Sequence, residues 1–321
     1  MEENKKAVSL FAASDIHNLH GSTRLREVLG LVRADAEAVQ PEYFILGGDL
    51  VGGGKPVHMG GDPKDWTPEF SLAEIRSEIA AEYGDGITAY FTYGSHDCHE
   101  VNGNRDFLHG PADCGAFYLY GVSFAQMRYV TDDELGTGHG PDGDADSGTG
   151  TKAAEAFTEW ADSLTDSKPV FVMSHLPMHV HRGDNRAAFL WAEALNRAAR
   201  KRDVFVFFAH NHTTERKDVP AFGAKPENGK REYERSFYLR PAGGTMPVQG
   251  PEKECTFEIR NDFTYLNAGY ILKGCGTLLT LSEPREDGSF SKLTIARYAA
   301  DPEEKDFGST GIASPYTCAL R

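Results

Sequence analysis

The chain has 321 residues, of which 40% are hydrophobic and 25% are charged, a composition sufficient for a sizeable folded core. Its formal net charge is −15 at pH 7 and it has no long run of Lys or Arg, which argues against a nucleic-acid partner or an anionic membrane partner. Its five cysteines are scattered without a CxxC pair, and no stretch approaches the ~20 apolar residues of a membrane-spanning helix. We therefore expect a cytoplasmic protein with free thiols, and the composition leaves its oligomeric state open.

Short apolar runs alternate with helical patterns over the first two thirds of the chain. In chain order, the pattern predicts a strand at 7–14, a helix whose apolar positions run from Leu25 to Val39, a strand at 43–49, a helix at 68–83, a strand at 87–93, a hairpin at 116–126, a loop at 131–150, a helix at 151–165, a strand at 169–174, a helix at 186–201 and a strand at 203–209. Hairpin-like strands follow at 235–240, 255–260, 276–282 and 292–298. This order favours two mixed sheets packed face to face with helices outside.

Polar side chains follow five of these predicted strands. They are Asp15 and His17, then Asp49, then Ser95, His96 and Asp97, then His175, and finally His210 and His212. Ligands of open α/β sheets bind beyond the carboxyl ends of strands, and carboxylate with imidazole is a ligand set for Zn, Mn, Fe or Co. A single D-x-H or H-x-H is more often a capped loop or a core histidine. Five such strand ends in order instead predict a metal site.

These residues, in this order, resemble the motifs of the calcineurin-like metallophosphoesterase family. The family pattern runs D-x-H, G-D, G-N-H-[DE], H and G-H-x-H. This chain supplies Asp15-x-His17, Gly48-Asp49, Gly94-Ser95-His96-Asp97, His175 and Ala209-His210-Asn211-His212. The resemblance covers about residues 7–213 and departs at two positions, since Ser95 stands for Asn and Ala209 for Gly.

The resemblance implies an α/β fold, a four-layer α/β/β/α sandwich of two mixed β-sheets flanked by helices. It implies one domain over 1–321, with the core motifs in 7–213 and a β-rich C-terminal portion at 214–321. It also implies two divalent metal ions, with Mn, Fe or Zn as candidates. Asp49 would bridge the ions, and the other expected ligands are Asp15, His17 and His212 at the first site and Ser95, His175 and His210 at the second.

The activity implied by the resemblance is hydrolysis of a phosphodiester or phosphomonoester in a small phosphorylated substrate. A metal-bridging hydroxide would attack phosphorus, and His96 would assist the leaving group. We also place Asp97 in the catalytic set, where it either orients His96 or a neighbouring ligand or caps the turn that follows. Arg182 would suit a phosphate oxygen. The alternatives are a mononuclear hydrolase and a catalytically weakened metal-binding or scaffold protein that keeps the phosphoesterase fold.

Ser95 is the main departure from the family motif, and it bears on how tightly the second metal binds. Its hydroxyl falls short of an asparagine amide oxygen by roughly one bond, about 1.5 Å, so we expect a water to bridge Ser95 and the second metal. The second metal should therefore bind more tightly in Ser95→Asn than in the wild type, as measured by calorimetric titration with Mn²⁺. Equal affinity in the two proteins would show that Ser95 does not replace a ligand.

Overall fold

The protein is described by a computed structural model. The residues it describes are 6–17, 24–50, 72–94, 97, 107–123, 125–127, 150–179, 187–210, 239–250, 256–307 and 312–321. The α-helices in these ranges are α1 (Leu25–Ala34), α2 (Leu72–Tyr83), α3 (Gly150–Ser163) and α4 (Ala188–Ala199). The strands are β1 (Val8–Ala13), β2 (Tyr43–Gly47), β3 (Thr88–Thr92), β4 (Gly110–Asp113), β5 (Tyr118–Val122), β6 (Val170–Ser174), β7 (Val204–Phe208), β8 (Leu239–Arg240), β9 (Gly244–Gln249), β10 (Thr256–Asn261), β11 (Thr264–Asn267), β12 (Cys275–Pro284), β13 (Phe290–Ala299) and β14 (Tyr316–Ala319).

Two six-stranded mixed sheets form the centre of the molecule. The first sheet has the order β14-β13-β12-β1-β2-β3, in which β1, β2 and β3 are parallel and β12 runs antiparallel to β1. The second has the order β4-β5-β6-β7-β11-β8, in which β5, β6, β7 and β11 are parallel. The strands β9 and β10 form a separate antiparallel ribbon. Strands of the β-rich C-terminal portion therefore belong to both large sheets.

The strands alternate their side chains between two core layers, as the period of two requires. On β1, Leu10 packs in the core between the two sheets, whereas Phe11 packs in the core under α1 and α2. On β6, Phe171 lies between the sheets, whereas Val172 lies in the core that Trp191 of α4 covers. Helices thus cover the outer faces of both sheets, and the expected four-layer α/β/β/α sandwich is confirmed.

Helix α1 is shorter than its apolar pattern predicts. It ends at Ala34, because Asp35 is extended, with φ −79° and ψ 108°. The Asp35 carboxylate accepts hydrogen bonds from the backbone N–H of Glu37 at 3.0 Å and from the hydroxyl of Tyr298 at 2.7 Å. An aspartate that binds nearby backbone competes with helix continuation. Val39, predicted on the apolar face of this helix, therefore lies beyond it.

The hairpin predicted at 116–126 has a different position. Its second strand is β5, but the partner strand is β4, which begins before the predicted range. Gly115 makes the turn with φ 76°, and its N–H donates to Asp113 at 2.8 Å. The short strands β9, β11 and β14 were not predicted. The loop predicted at 131–150 lies outside the described residues apart from its last residue. The start of the helix predicted at 68–83 lies outside them too.

Among the described helices, none is long and apolar enough to cross a membrane.

The close contact between β12 and β1 generates a stability prediction. A Cβ added at Gly276 would overlap the ring of Phe11, which is fully buried. We expect Gly276→Ala to lower the free energy of unfolding by about 1–3 kcal/mol, measured by urea titration. Gly30 is the matched control, because a Cβ there meets nothing within 4 Å on helix α1. Gly30→Ala should stabilise the protein by up to about 1 kcal/mol, and equal midpoints for the two variants would contradict the packing argument.

Candidate metal centre

Five of the predicted metal ligands follow four neighbouring strand ends in the two sheets. Asp15 and His17 follow β1, Asp49 follows β2, His175 follows β6 and His210 follows β7. Parallel pairing aligns the carboxyl ends of β1 with β2 and of β6 with β7, so each sheet presents its residues at one edge.

The side chains form two groups of three that share Asp49. One group is Asp15, His17 and Asp49, the other is Asp49, His175 and His210, and the donor atoms within each group lie within 4.8 Å of one another. The Oδ2 atom of Asp49 lies 3.4 Å from Nε2 of His17, 3.2 Å from Nε2 of His175 and 3.9 Å from Nδ1 of His210. Nδ1 of His210 also lies 2.9 Å from Nε2 of His175. Imidazole nitrogens that converge on a carboxylate fit divalent transition metals, so this donor set fits the cofactor that the sequence predicts.

The backbone at this cluster is strained. The described residues include five non-glycine residues with positive φ, and four of them are Asp15 (51°), His17 (38°), Asp49 (49°) and His210 (69°). A left-handed conformation costs about 1–2 kcal/mol for a residue with a Cβ. Such residues gather at functional sites, where the surrounding structure holds them in place. The strain therefore marks the same residues as the donor geometry does.

Two glycines allow the loops after β2 and β3 to touch. Gly48 has φ 86°, and a Cβ there would lie 2.6 Å from both Cα of Gly94 and Nδ1 of His175. A Cβ at Gly94 would overlap the backbone nitrogen of Asp49. Because neither position has room for a side chain, both glycines are needed to place Asp49 beside His175. Sequence reasoning read these glycines only as parts of motifs, since the contact between them is not visible in the sequence.

Asp97 is buried and joins the same two loops. Its Oδ2 accepts the N–H of Gly94 at 2.7 Å, and its Oδ1 accepts the N–H of Leu50 at 3.0 Å. Burial, together with the negative charge of Asp49, raises the pKa of Asp97 to about 6. Both bonds reach backwards along the chain. The described contacts thus give Asp97 a role in fixing the loop that carries Asp49.

Two histidines of the cluster, His17 and His175, have raised pKa values. Burial alone would lower the pKa of His17, but hydrogen bonds and charges from Asp15 and Asp49 outweigh burial and raise the pKa to about 10. Burial also opposes protonation of His175, yet Asp49 raises its pKa to about 9. Nδ1 of His175 lies 2.8 Å from the carbonyl oxygen of Gly47, which orients the ring with Nε2 toward the cluster. Such a partner on the remote nitrogen is typical of metal-binding histidines.

The structure brings together Asp15, His17, Asp49, His175 and His210, with Asp97 beside them. Ser95, His96, Arg182 and His212 lie outside the described residues, so their predicted roles stay predictions. Sequence reasoning missed Ser14, whose hydroxyl donates to Oδ2 of Asp15 at 2.6 Å. The only signal was a hydroxyl residue directly before a candidate ligand.

Comparison with known proteins agrees with this geometry. A family model described as calcineurin-like phosphoesterase matches residues 9–214, which is more than half of the chain and contains all five clustered donors. A comparison with curated proteins found no match.

The raised histidine pKa values predict that metal binding releases protons. The pKa values of His17 and His175 are about 10 and about 9, so both imidazoles are protonated at about pH 8. A histidine that binds a metal must instead be neutral. Titration with Mn²⁺ should therefore release about two protons per chain from these two imidazoles, in addition to the proton lost by metal-bound water, and the imidazole share should fall as the pH rises through these pKa values.

The release is measured by calorimetry in two buffers of different ionisation enthalpy. His17→Gln serves as the control and should release about one proton fewer, because one protonated imidazole is gone. The same proton count in this variant and the wild type would contradict the assignment.

Proposed function

Because the chain belongs to the calcineurin-like phosphoesterase family, we propose that it hydrolyses a phosphodiester or phosphomonoester in a small molecule, using two divalent metal ions. The observation that carries this proposal is the buried Asp49 carboxylate shared by two groups of donors. A carboxylate shared between two imidazole-containing groups suits a pair of neighbouring cations, because its negative charge offsets the repulsion between them. The small size of the substrate is supported by the net charge of −15, which disfavours polyanionic polymers.

We assign the ligands according to the two groups. Asp15 and His17 would hold one ion and His175 and His210 the other, with Asp49 between them. His212 would complete the first set and Ser95 the second. When bound, the ions supply a hydroxide nucleophile from water near neutral pH and positive charge that stabilises the phosphoryl oxygens. Mn, Fe and Zn suit this mixture of carboxylate and imidazole donors.

The protein groups around the metals would carry the remaining steps. Burial alone would raise the pKa of Asp49, but the charge of His175 and hydrogen bonds from the cluster hold it well below its usual range, so the carboxylate stays ionised. His96 would give a proton to the leaving oxygen, and Arg182 would bind a phosphate oxygen. Asp97 would support this arrangement through its bonds to the backbone of Gly94 and Leu50. The cytoplasmic location remains a prediction from composition.

Leaving-group dependence tests the role of His96. We expect His96→Asn to lower kcat by about 10²–10⁴ for alkyl phosphoesters, whose leaving oxygen needs a proton. The loss should be much smaller for p-nitrophenyl phosphate and its bis ester, since p-nitrophenolate leaves without protonation. The assay compares Mn²⁺-loaded variant and wild type on both substrate types, and metal content is measured to show that the cations are retained.

An equal loss on both substrate types would contradict a proton-donating role for His96. A wild-type protein that binds its metals but turns over no cyclic nucleotide, nucleotide, phospholipid head group or p-nitrophenyl ester would contradict the proposed function. That second outcome would favour the alternative of a metal-binding scaffold.

A further inference from the structure

Ser14 lies at the junction between the first metal-ligand motif and a C-terminal segment beyond the family match. Its N–H donates to the carbonyl oxygen of Gly269 at 2.9 Å, and its own carbonyl oxygen accepts the N–H of Ile271 at 2.9 Å. The N–H of Leu272 reaches the carbonyl oxygen of Asp15 at 3.2 Å. The family match ends at residue 214, so this support comes from outside it. The backbone that carries Asp15 is therefore held by residues that the motif does not contain.

The Ser14 hydroxyl has two acceptors within reach but one proton to give. Oγ lies 2.6 Å from Oδ2 of Asp15 and 2.9 Å from the carbonyl oxygen of Gly269. The Gly269 oxygen already accepts the Ser14 N–H, and the shorter distance is the one expected of an O–H···O⁻ bond to a carboxylate. A carboxylate can only accept, and Asp15 must be ionised to bind metal. The hydroxyl proton is therefore directed to Asp15.

A second donor reaches the same oxygen of Asp15. The backbone N–H of His210 donates to Oδ2 at 3.0 Å. The other oxygen, Oδ1, lies 3.7 Å from Nε2 of His17, on the side of the donor cluster. Two bonds on Oδ2 fix the rotation of the carboxylate, so Oδ1 faces the cluster. The bond to His210 also links a residue of one donor group to a residue of the other.

We propose that Ser14 is a positioning residue for the metal centre. Its hydroxyl holds Oδ2 of Asp15 so that Oδ1 is presented to the cation, and it keeps Oδ2 in place to accept the N–H of His210. Asp15 has φ 51°, a conformation that the backbone does not favour by itself, so the carboxylate depends on such support. The inference rests on the metal binding in the proposed function and is independent of which phosphoester is cleaved.

Ser14→Ala and Ser9→Ala form a matched pair of variants. Ser9 is also a fully buried serine of the same chain segment, but its Oγ lies 2.8 Å from Oγ1 of Thr280, away from the donor cluster. Each variant removes one buried serine hydroxyl and its hydrogen bond, so both should lower the melting temperature. Only Ser14→Ala should lower Co²⁺ affinity, by about tenfold or more, because outer partners of metal ligands have effects of that size.

The measurement is calorimetric titration of the full chain with Co²⁺, together with the visible absorption spectrum of the bound ion. The spectrum reports the geometry of the ligands, so a change in Ser14→Ala that is absent in Ser9→Ala separates positioning from general stability. Wild-type affinity and spectrum in Ser14→Ala would overturn the proposal. So would an equal loss of affinity in the Ser9→Ala control.

If Ser14→Ala does not fold, a third variant, Ser14→Thr, tests the role of the hydroxyl. Ser14→Thr keeps the hydroxyl and should retain Co²⁺ affinity within about threefold, whereas a folded Ser14→Thr with a tenfold loss would overturn the proposal. Phosphoester turnover of the Mn²⁺-loaded wild type is measured in parallel. A wild type that binds metal without turnover would remove the proposed function and leave the result on Ser14 unaffected.

Discussion

The burial of the Asp49 carboxylate is the constraint on which the site depends. It is 1% exposed, and removing an ionised carboxylate from water costs several kcal/mol unless opposite charges or hydrogen bonds offset the loss. His17, His175 and His210 provide that compensation within 3.9 Å of Oδ2. Each of these histidines follows a different strand of the two sheets. The carboxylate is therefore stable only when the sheets stack with these strand ends together, which links the chemistry of the site to the packing of the core.

The loops at these strand ends are held against their own conformational preference. Asp15, His17, Asp49 and His210 all have positive φ. The N–H of Asp15 donates to the carbonyl oxygen of Gly48 at 3.0 Å, and the N–H of His17 donates to that of Asp49 at 3.1 Å. These bonds join the loop after β1 to the loop after β2. A network of this kind holds the donors in a defined arrangement, which is what a metal site needs.

The C-terminal strands contribute to the site without supplying a described donor. Strand β12 pairs with β1, and β11 pairs with β7, so each borders a strand that ends in candidate ligands. The segment from Gly269 to Leu272 then binds the backbone at Ser14 and Asp15 directly. The matched family span thus holds the described donors, while later residues support the strands and the loop that present them.

Local patterns in the sequence predicted the layers and the five donors that lie in the described residues. Alternation and helical spacing have short periods, so they identified the strands before Asp15, Asp49, His175 and His210 and, through their order, the two mixed sheets. The end of α1 at Ala34 was not predicted, because apolar spacing does not show that Asp35 binds the backbone of Glu37 and the hydroxyl of distant Tyr298. The tertiary structure likewise decided the contact of Gly94 with Asp49 and the two hydrogen bonds that Asp97 accepts. It also decided how Ser14 orients Asp15. The sequence by itself determined which residues are available as donors. The family resemblance implied that Asp49 is shared. Only the folded chain decided which contacts hold it between the two groups, because those contacts join loops that periodicity cannot relate.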